Sequence, residues 1–276
     1  PDPAPREVND LQKKFPGRLI LLHGTGLERA MTTAIRQYTV KLADKVMDSL
    51  LPRHCLFCGQ FSADSNLCQP CKAGLPRTRH ACMQCGLPVP AAHDRICGSC
   101  LRTPPPWQHA TSGLEYRFPV DQLICRFKFG RSLACGQILG TELSARVRDQ
   151  LPAMPDFIAP VPLHRSRQFF RNFNQADLIA RLLGKELGIP VRSDLLRRVR
   201  RTRAQSGLDA RRRRQNLKGA FVLNQKLFPG LSQAHVALVD DVCTTGETLA
   251  ACTRTLNREG IRMVSIWVAA RAPPPC

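Results

Sequence analysis

The sequence predicts an α/β fold: a parallel sheet with helices on both faces, preceded by a small cysteine-rich module. Three observations carry this. Apolar strand-like runs alternate with helix-period segments through the C-terminal half, the order that builds parallel sheets. Eight of the thirteen cysteines fall into four CxxC pairs. A proline-rich stretch, "RTPPPW" at 102–107, stands between the two regions and reads as stiff and extended. The expected divisions are an N-terminal extension over 1–50, partly helical or disordered, a cysteine module over 51–101, a linker over 102–112 and the α/β domain over 113–276.

In the extension, "TTAIRQYTVKLADKVMDSLL" can form an amphipathic helix; an alternative start of the natural chain lies near Met47. The cysteine module runs Cys55-x2-Cys58, nine residues, Cys68-x2-Cys71, ten residues, Cys82-x2-Cys85, eleven residues, Cys97-x2-Cys100. A CxxC turn aims two thiolates at one point, and two turns complete a tetrahedral four-cysteine site, so two zinc ions are expected. Consecutive pairs give the sets 55/58/68/71 and 82/85/97/100, with a cross-braced arrangement of first and third pairs as the alternative. Four thiolates leave no open position for water, which makes the sites structural. His54, His80 and His93 are then surplus as ligands. The module reads as a spacer or docking knob, or as a nucleic-acid contact helped by Arg53, Lys72, Arg77 and Arg79.

Beyond the linker, "DQLICRFKF" and "ACGQILGTELSARVRDQL" read as helices and "DFIAPVPL" as a short buried strand. "NQADLIARLLGKELG" reads as a helix, with Ile179, Leu182, Leu183 and Leu187 on one face and Gly188-Ile189-Pro190 as its end. "HVALVDD" is a strand, "ETLAACTRTLNREG" a helix stopped at Gly260, and "RMVSIWVAA" a last strand.

The chemistry concentrates in "VALVDDVCTTGET". In open α/β sheets ligands bind beyond the carboxyl ends of strands. There, amides from Thr244 to Thr248 and the following helix N-terminus make a site for a phosphate. Thr244, Thr245 and Thr248 add hydroxyls, and Gly246 lets the backbone approach closely. Asp240 and Asp241 would repel a phosphate met directly, but suit neutral hydroxyls one or two bonds away, held directly or through Mg²⁺. A ribose 5-phosphate has that layout. The competing reading is an acidic pair that merely ends a strand and caps a helix, which needs only one short polar residue.

This stretch resembles the 5-phosphoribosyl-1-pyrophosphate (PRPP) motif of type I phosphoribosyltransferases. "PVPLHRSRQFFRNFNQADLIA" (160–180), "RTRAQSGLDARRRRQNLKGAF" (201–221), "CRFKFGR" and the cysteine-rich start are together similar to the ComF (GntX-like) family over about residues 50–272. One departure is Asn172, where the family has Gly. The resemblance implies a type I phosphoribosyltransferase-like sheet behind a double zinc ribbon. It also implies a Mg²⁺-dependent phosphoribosyltransferase of unread acceptor: Asp240 and Asp241 hold the ribose, and Cys243, Thr244, Thr245, Gly246, Glu247 and Thr248 form the PRPP loop. Arg165, Arg167 and Arg171 would hold the pyrophosphate, against the plainer reading of a solvated basic loop. Cys243 itself reads as a small filler, with nothing to support a nucleophilic role. The family's setting is DNA uptake and use in natural transformation, in the cytoplasm or at the inner face of the membrane, beside single-stranded DNA and a helicase. A noncatalytic PRPP sensor or nucleic-acid-binding adaptor with structural zinc is the alternative.

The formal charge of +20 implies anionic partners and says nothing about fold. Residues 192–218 hold eleven Arg or Lys and two Asp, nearly half of that excess. They read as a mobile hood over PRPP, as a nucleic-acid track through Arg200, Arg203, Arg211, Arg212, Arg213 and Arg214, or as a solvated face. Few aromatics interleave, so stacking recognition has weak support. There is no GxxxxGK[ST] motif, "HGTG" at 23–26 lacks the third glycine of a dinucleotide loop, and no apolar run reaches the length of a membrane span.

Overall fold

The computed structural model describes residues 54–62, 66–90, 95–150, 153–163, 173–200, 217–224 and 231–273. The N-terminal extension, His93, the arginines at 165, 167 and 171, Asn172, and those at 203 and 211–214 lie outside the described residues. His54–Cys276 form one compact unit.

Its elements, in order, are α1 (Gln69–Ala73), α2 (Gly98–Arg102), β1 (His109–Glu115), α3 (Val120–Lys128), α4 (Leu133–Gln150), β2 (Phe157–Pro160) and α5 (Gln175–Leu187). Then follow β3 (Leu196–Arg198), β4 (Phe221–Leu223), a short 3₁₀ turn, β5 (His235–Cys243), α6 (Glu247–Arg258) and β6 (Met263–Arg271). The sheet is parallel, in the order β1-β6-β5-β2, and β3 and β4 form a separate antiparallel pair.

Strand residues alternate between two cores, as the period of 2 requires. Ala237, Val239, Trp267, Ala269 and Ile158 enter the core with α3, α4 and α5. Val236, Leu238, Val264, Ile266 and Ala159 enter the opposite core with α6 and the β3–β4 pair. Both faces are covered, which explains why β5 and β6 read as continuous apolar runs. The fold is thus a parallel α/β sheet of the phosphoribosyltransferase type behind a cysteine-rich module, as expected.

Helix ends follow local chemistry. The Asn174 side chain accepts from the Ala176 amide at 3.2 Å to start α5, and Gly188, at φ 72°, ends it. The helices and strands predicted from Asp121 onward are present, and the amphipathic helix expected in the N-terminal extension lies outside the described residues, but two features depart from expectation. Residues 109–112 belong to β1 and not to the linker: they pair with Ser265–Val268 of β6. Their His, Ala, Thr and Ser carry little apolar signal; burial there comes from β6 and the helix above. The short β3–β4 pair, 3 residues in each strand, was also too brief to show a period.

Candidate functional site

The central strand β5 carries the acidic pair and runs 2 residues further than expected, since Val242 and Cys243 pair with Ala270 and Arg271. The bend is therefore Thr244, Thr245 and Gly246 alone, before α6 starts at Glu247. Cys243 is a buried strand residue, and burial raises its thiol pKa, which fits a filler and not a nucleophile. Gly246 sits at φ 77°, and a Cβ there would lie 3.2 Å from the Trp107 ring. Only glycine fits both conditions. Among the described residues, the amides of Thr244, Thr245 and Gly246 find no backbone acceptor.

Neighbouring strand residues face opposite sides of a sheet, and the acidic pair is split accordingly. Asp241 meets Lys128 of α3, with Nζ 3.0 Å from Oδ1. Asp240 lies towards α6, where Cys252 and Arg198 are its electrostatic neighbours. Its Oδ1 accepts from the Asp241 amide at 2.9 Å. Burial, then the charge of Asp241, pushes Asp240 up to about 7, against the opposing pull of Lys128 and Arg198. Lys128 was missed as a site residue. Its signal was present in "CRFKFGR", but nothing in that segment says that α3 ends beside the acidic pair.

β2 lies alongside β5, and the Val161 amide donates to the Val239 carbonyl at 2.8 Å. Asn174 Nδ2 donates to the Val161 carbonyl at 3.0 Å. Both stems of the loop that would hold pyrophosphate are thereby pinned beside the end of β5. Next to them a cavity of about 950 Å³ is lined by Pro162, Phe173, Asn174, Arg197, Arg198 and Asn224. The acidic pair is not part of that lining. Of the basic segment, Arg198 stacks over Phe221 with its guanidinium carbon 5.3 Å from the ring centroid. Arg200 donates to the Lys218 carbonyl at 2.6 Å and closes the base of the hairpin.

The cysteine module builds the same unit twice. Cys55-Leu-Phe-Cys58-Gly and Cys82-Met-Gln-Cys85-Gly form matching turns, each closed by its glycine at positive φ, and the second CxxC of each unit starts α1 or α2. Cys55, Cys58, Cys68 and Cys71 gather in one cluster and Cys82, Cys85, Cys97 and Cys100 in another, with all sulfurs of a cluster within 4.8 Å of one another. Consecutive pairs therefore share a site. The 3.6 Å contacts Cys58–Cys68 and Cys85–Cys97 match the edge of about 3.8 Å of a zinc–thiolate tetrahedron. Hydrogen bonding with Cys68 raises Cys71 to about 12, and burial raises Cys85 likewise to about 12. Four crowded thiols resist ionising together; a divalent cation removes that penalty, so the donor set fits two structural zinc ions.

The ribbons dock firmly on the α/β body. Arg77 donates through Nε and Nη2 to Glu142 Oε2 of α4 at 2.9 and 2.7 Å and through Nη1 to the Lys72 carbonyl, which gives it a docking role between ribbon and body. Arg126 donates to the Leu56 carbonyl at 3.0 Å, and Arg146 to the Thr78 carbonyl at 2.9 Å. No helix among the described residues is long and apolar enough to cross a membrane.

Residues 46–101 match the double zinc ribbon domain family. The chain is similar to the DNA utilization protein YhgH of Salmonella typhimurium, at 38% identity over 80% of this chain and 98% of the relative. It is likewise similar to Competence protein F of Haemophilus influenzae, at 38% identity over 76% of this chain and 92% of the relative. Competence protein ComFC of Bacillus subtilis is 25% identical over 71% of this chain and 80% of the relative. With doubled ribbons, a parallel sheet and relatives matched along nearly their whole length, the chain belongs to the ComF family of competence and DNA utilization proteins.

Proposed function

We infer that the chain binds PRPP at the end of β5 and acts in the uptake or utilisation of DNA. The observation that carries the sugar-phosphate reading is the short bend whose three amides have no backbone acceptor among the described residues, set two residues after an acidic pair. The 5-phosphate would take those amides and the threonine hydroxyls, while the ribose would extend from the bend towards the acidic pair. The DNA role rests on the relatives, whose names speak of DNA utilisation and competence.

Phosphoribosyl transfer would need pyrophosphate to leave as the ribosyl carbon becomes cationic. Asp240 and Asp241 would hold the diol in place, and Lys128 and Arg198 would offset the charge of the departing group. Asp240 has a burial-raised pKa and no ion pair among the described residues, which suits a hard cation. Bound Mg²⁺ would supply charge neutralisation to the pyrophosphate.

Calorimetry with PRPP and Mg²⁺ tests this reading. Wild type binds, and Asp240→Asn or Asp241→Asn each weakens binding by about tenfold or more, the scale of one lost charge-assisted contact. No heat of binding to the wild type rejects it. A screen for PRPP consumption over bases and nucleic acids separates a transferase from a noncatalytic sensor.

A second reading, contact with single-stranded DNA, is favoured by the charge of the 192–218 segment. It requires the binding constant to fall with salt at a log–log slope of about −0.7 per phosphate contacted. A slope near zero removes it. A DNA-uptake helicase would be a partner on the same pathway.

A further inference from the structure

We propose that Arg271 and Trp107 make the second cysteine site, Cys82/Cys85/Cys97/Cys100, a positioning element for the phosphate-binding bend. Metal at that site would set the backbone of Thr244–Gly246, and metal at the first site would not. The proposal deepens the PRPP reading and rests on it for the ligand, but its claim about the bend can be measured without one.

Arg271 ends β6 and is buried, at 7% exposure. Its guanidinium reaches backbone carbonyls on both sides of one boundary. Nε donates to Cys85 at 2.8 Å, in the second ribbon. Nη1 donates to Cys243 at 2.8 Å, to Ala272 at 3.0 Å and to Thr244, the first residue of the bend. One planar group thus ties a metal-ligand residue to the start of the bend. Trp107 makes a second tie. Its indole N–H donates to the Gln84 carbonyl, one residue before Cys85, and its ring lies 3.2 Å from where Gly246 would carry a Cβ. The two ties hold both ends of a three-residue bend.

The remaining contact is slight. A cavity of about 360 Å³ opens beside these residues, bounded by Ser99, Arg102, Trp107, Thr245, Gly246 and Arg271. Beside that cavity, Arg271 and Trp107 are the side chains that the described residues show joining the second ribbon to the bend. Among the described residues the first cysteine cluster shows no such link: its ribbon packs with α3, on the opposite core.

Arg271 also brings charge. Among the described residues it faces only carbonyls and pairs with no carboxylate. Four thiolates on one zinc ion would carry a net negative charge, and Arg271 is bonded to the Cys85 carbonyl beside them. A phosphate on the far side of Thr244–Gly246 would be a second anion facing the same guanidinium.

The test is hydrogen exchange by mass spectrometry on peptides spanning 240–250, with zinc content and PRPP affinity measured on the same samples. Cys97→Ser/Cys100→Ser raises exchange in that peptide by about tenfold or more, whereas Cys68→Ser/Cys71→Ser leaves it at the wild-type rate. Equal exchange in both overturns the proposal. Arg271→Ala and Trp107→Phe separate coupling from ribbon folding, because both should keep two zinc ions per chain. Arg271→Ala is expected to loosen the peptide and weaken PRPP binding about tenfold, with partial rescue in Arg271→Lys. Zinc-replete Arg271→Ala with a wild-type peptide overturns the proposal even if second-site cysteine variants fail to fold. If wild type binds no PRPP while the peptide still responds to second-site zinc, the functional reading fails and the coupling stands.

Discussion

At the scale of single residues, Asp240 carries an electrostatic cost from its burial and from the neighbouring Asp241. The folded pKa of Asp240, at about 7, lies above its ordinary value, so the native state holds a proton that the unfolded chain has released. Stability from this group is present at low pH and is lost as pH rises from about 4 through about 7. Asp240→Asn without added Mg²⁺ is therefore expected to raise the melting temperature at pH 8 by about 2–8 °C, and to lose that gain below pH 4. Calorimetric melts across pH check this, and a lower melting temperature at pH 8 contradicts it. Binding and stability would then move in opposite directions at one residue, as expected where a site stores unfavourable electrostatics. Lys128→Met removes the cation 3.0 Å from Asp241 and leaves a buried carboxylate alone. The expected loss is about 2 kcal/mol in urea unfolding, below the cost of breaking a fully buried pair because both groups keep some exposure.

At the scale of elements, the bend between β5 and α6 is short because the strand continues through Cys243. Gly246→Ala must adopt a left-handed φ and push a methyl towards Trp107. The expected cost is about 1–2 kcal/mol from the backbone alone, with PRPP affinity falling further than stability, as read by calorimetry beside thermal melts. The start of α5 is a milder case. Asn174→Ala loses the helix cap and the bond to the Val161 carbonyl, for about 1 kcal/mol. The helices and longer strands were legible because each shows an apolar period or run, and α5 adds a capping residue, Asn174. β1 and the β3–β4 pair were not, because their burial is imposed by neighbours and leaves no pattern in the segment itself.

At the scale of the whole molecule, the ribbons are part of one body with the sheet. Cys55, Leu67 and Leu75 sit in the same core as Leu139 and Leu143 of α4, and Arg77–Glu142 crosses the boundary. Removing zinc with a strong chelator should therefore do more than melt a tethered module. About two zinc ions per chain should leave, and the melting transition of the α/β body should shift downward with them. Metal analysis alongside circular dichroism checks it, and an unmoved transition after full metal loss would show that the ribbon is energetically separate.

The sequence by itself determined that eight cysteines build two four-thiolate sites, because CxxC turns aim thiolate pairs at one point, while the structure decided that consecutive pairs share a site. It likewise determined the parallel sheet and the neighbourhood of the bend between β5 and α6, through apolar runs that end in a dense local motif. Only the tertiary structure decided that Asp240 and Asp241 turn to opposite faces. The same holds for Lys128 at Asp241 and for Arg271, which joins the second ribbon to the bend. Those pairings join residues more than a hundred positions apart in the first case and in the second, for Arg271 with Cys85, 186. Such contacts arise from how strands and helices stack, and no local pattern records them.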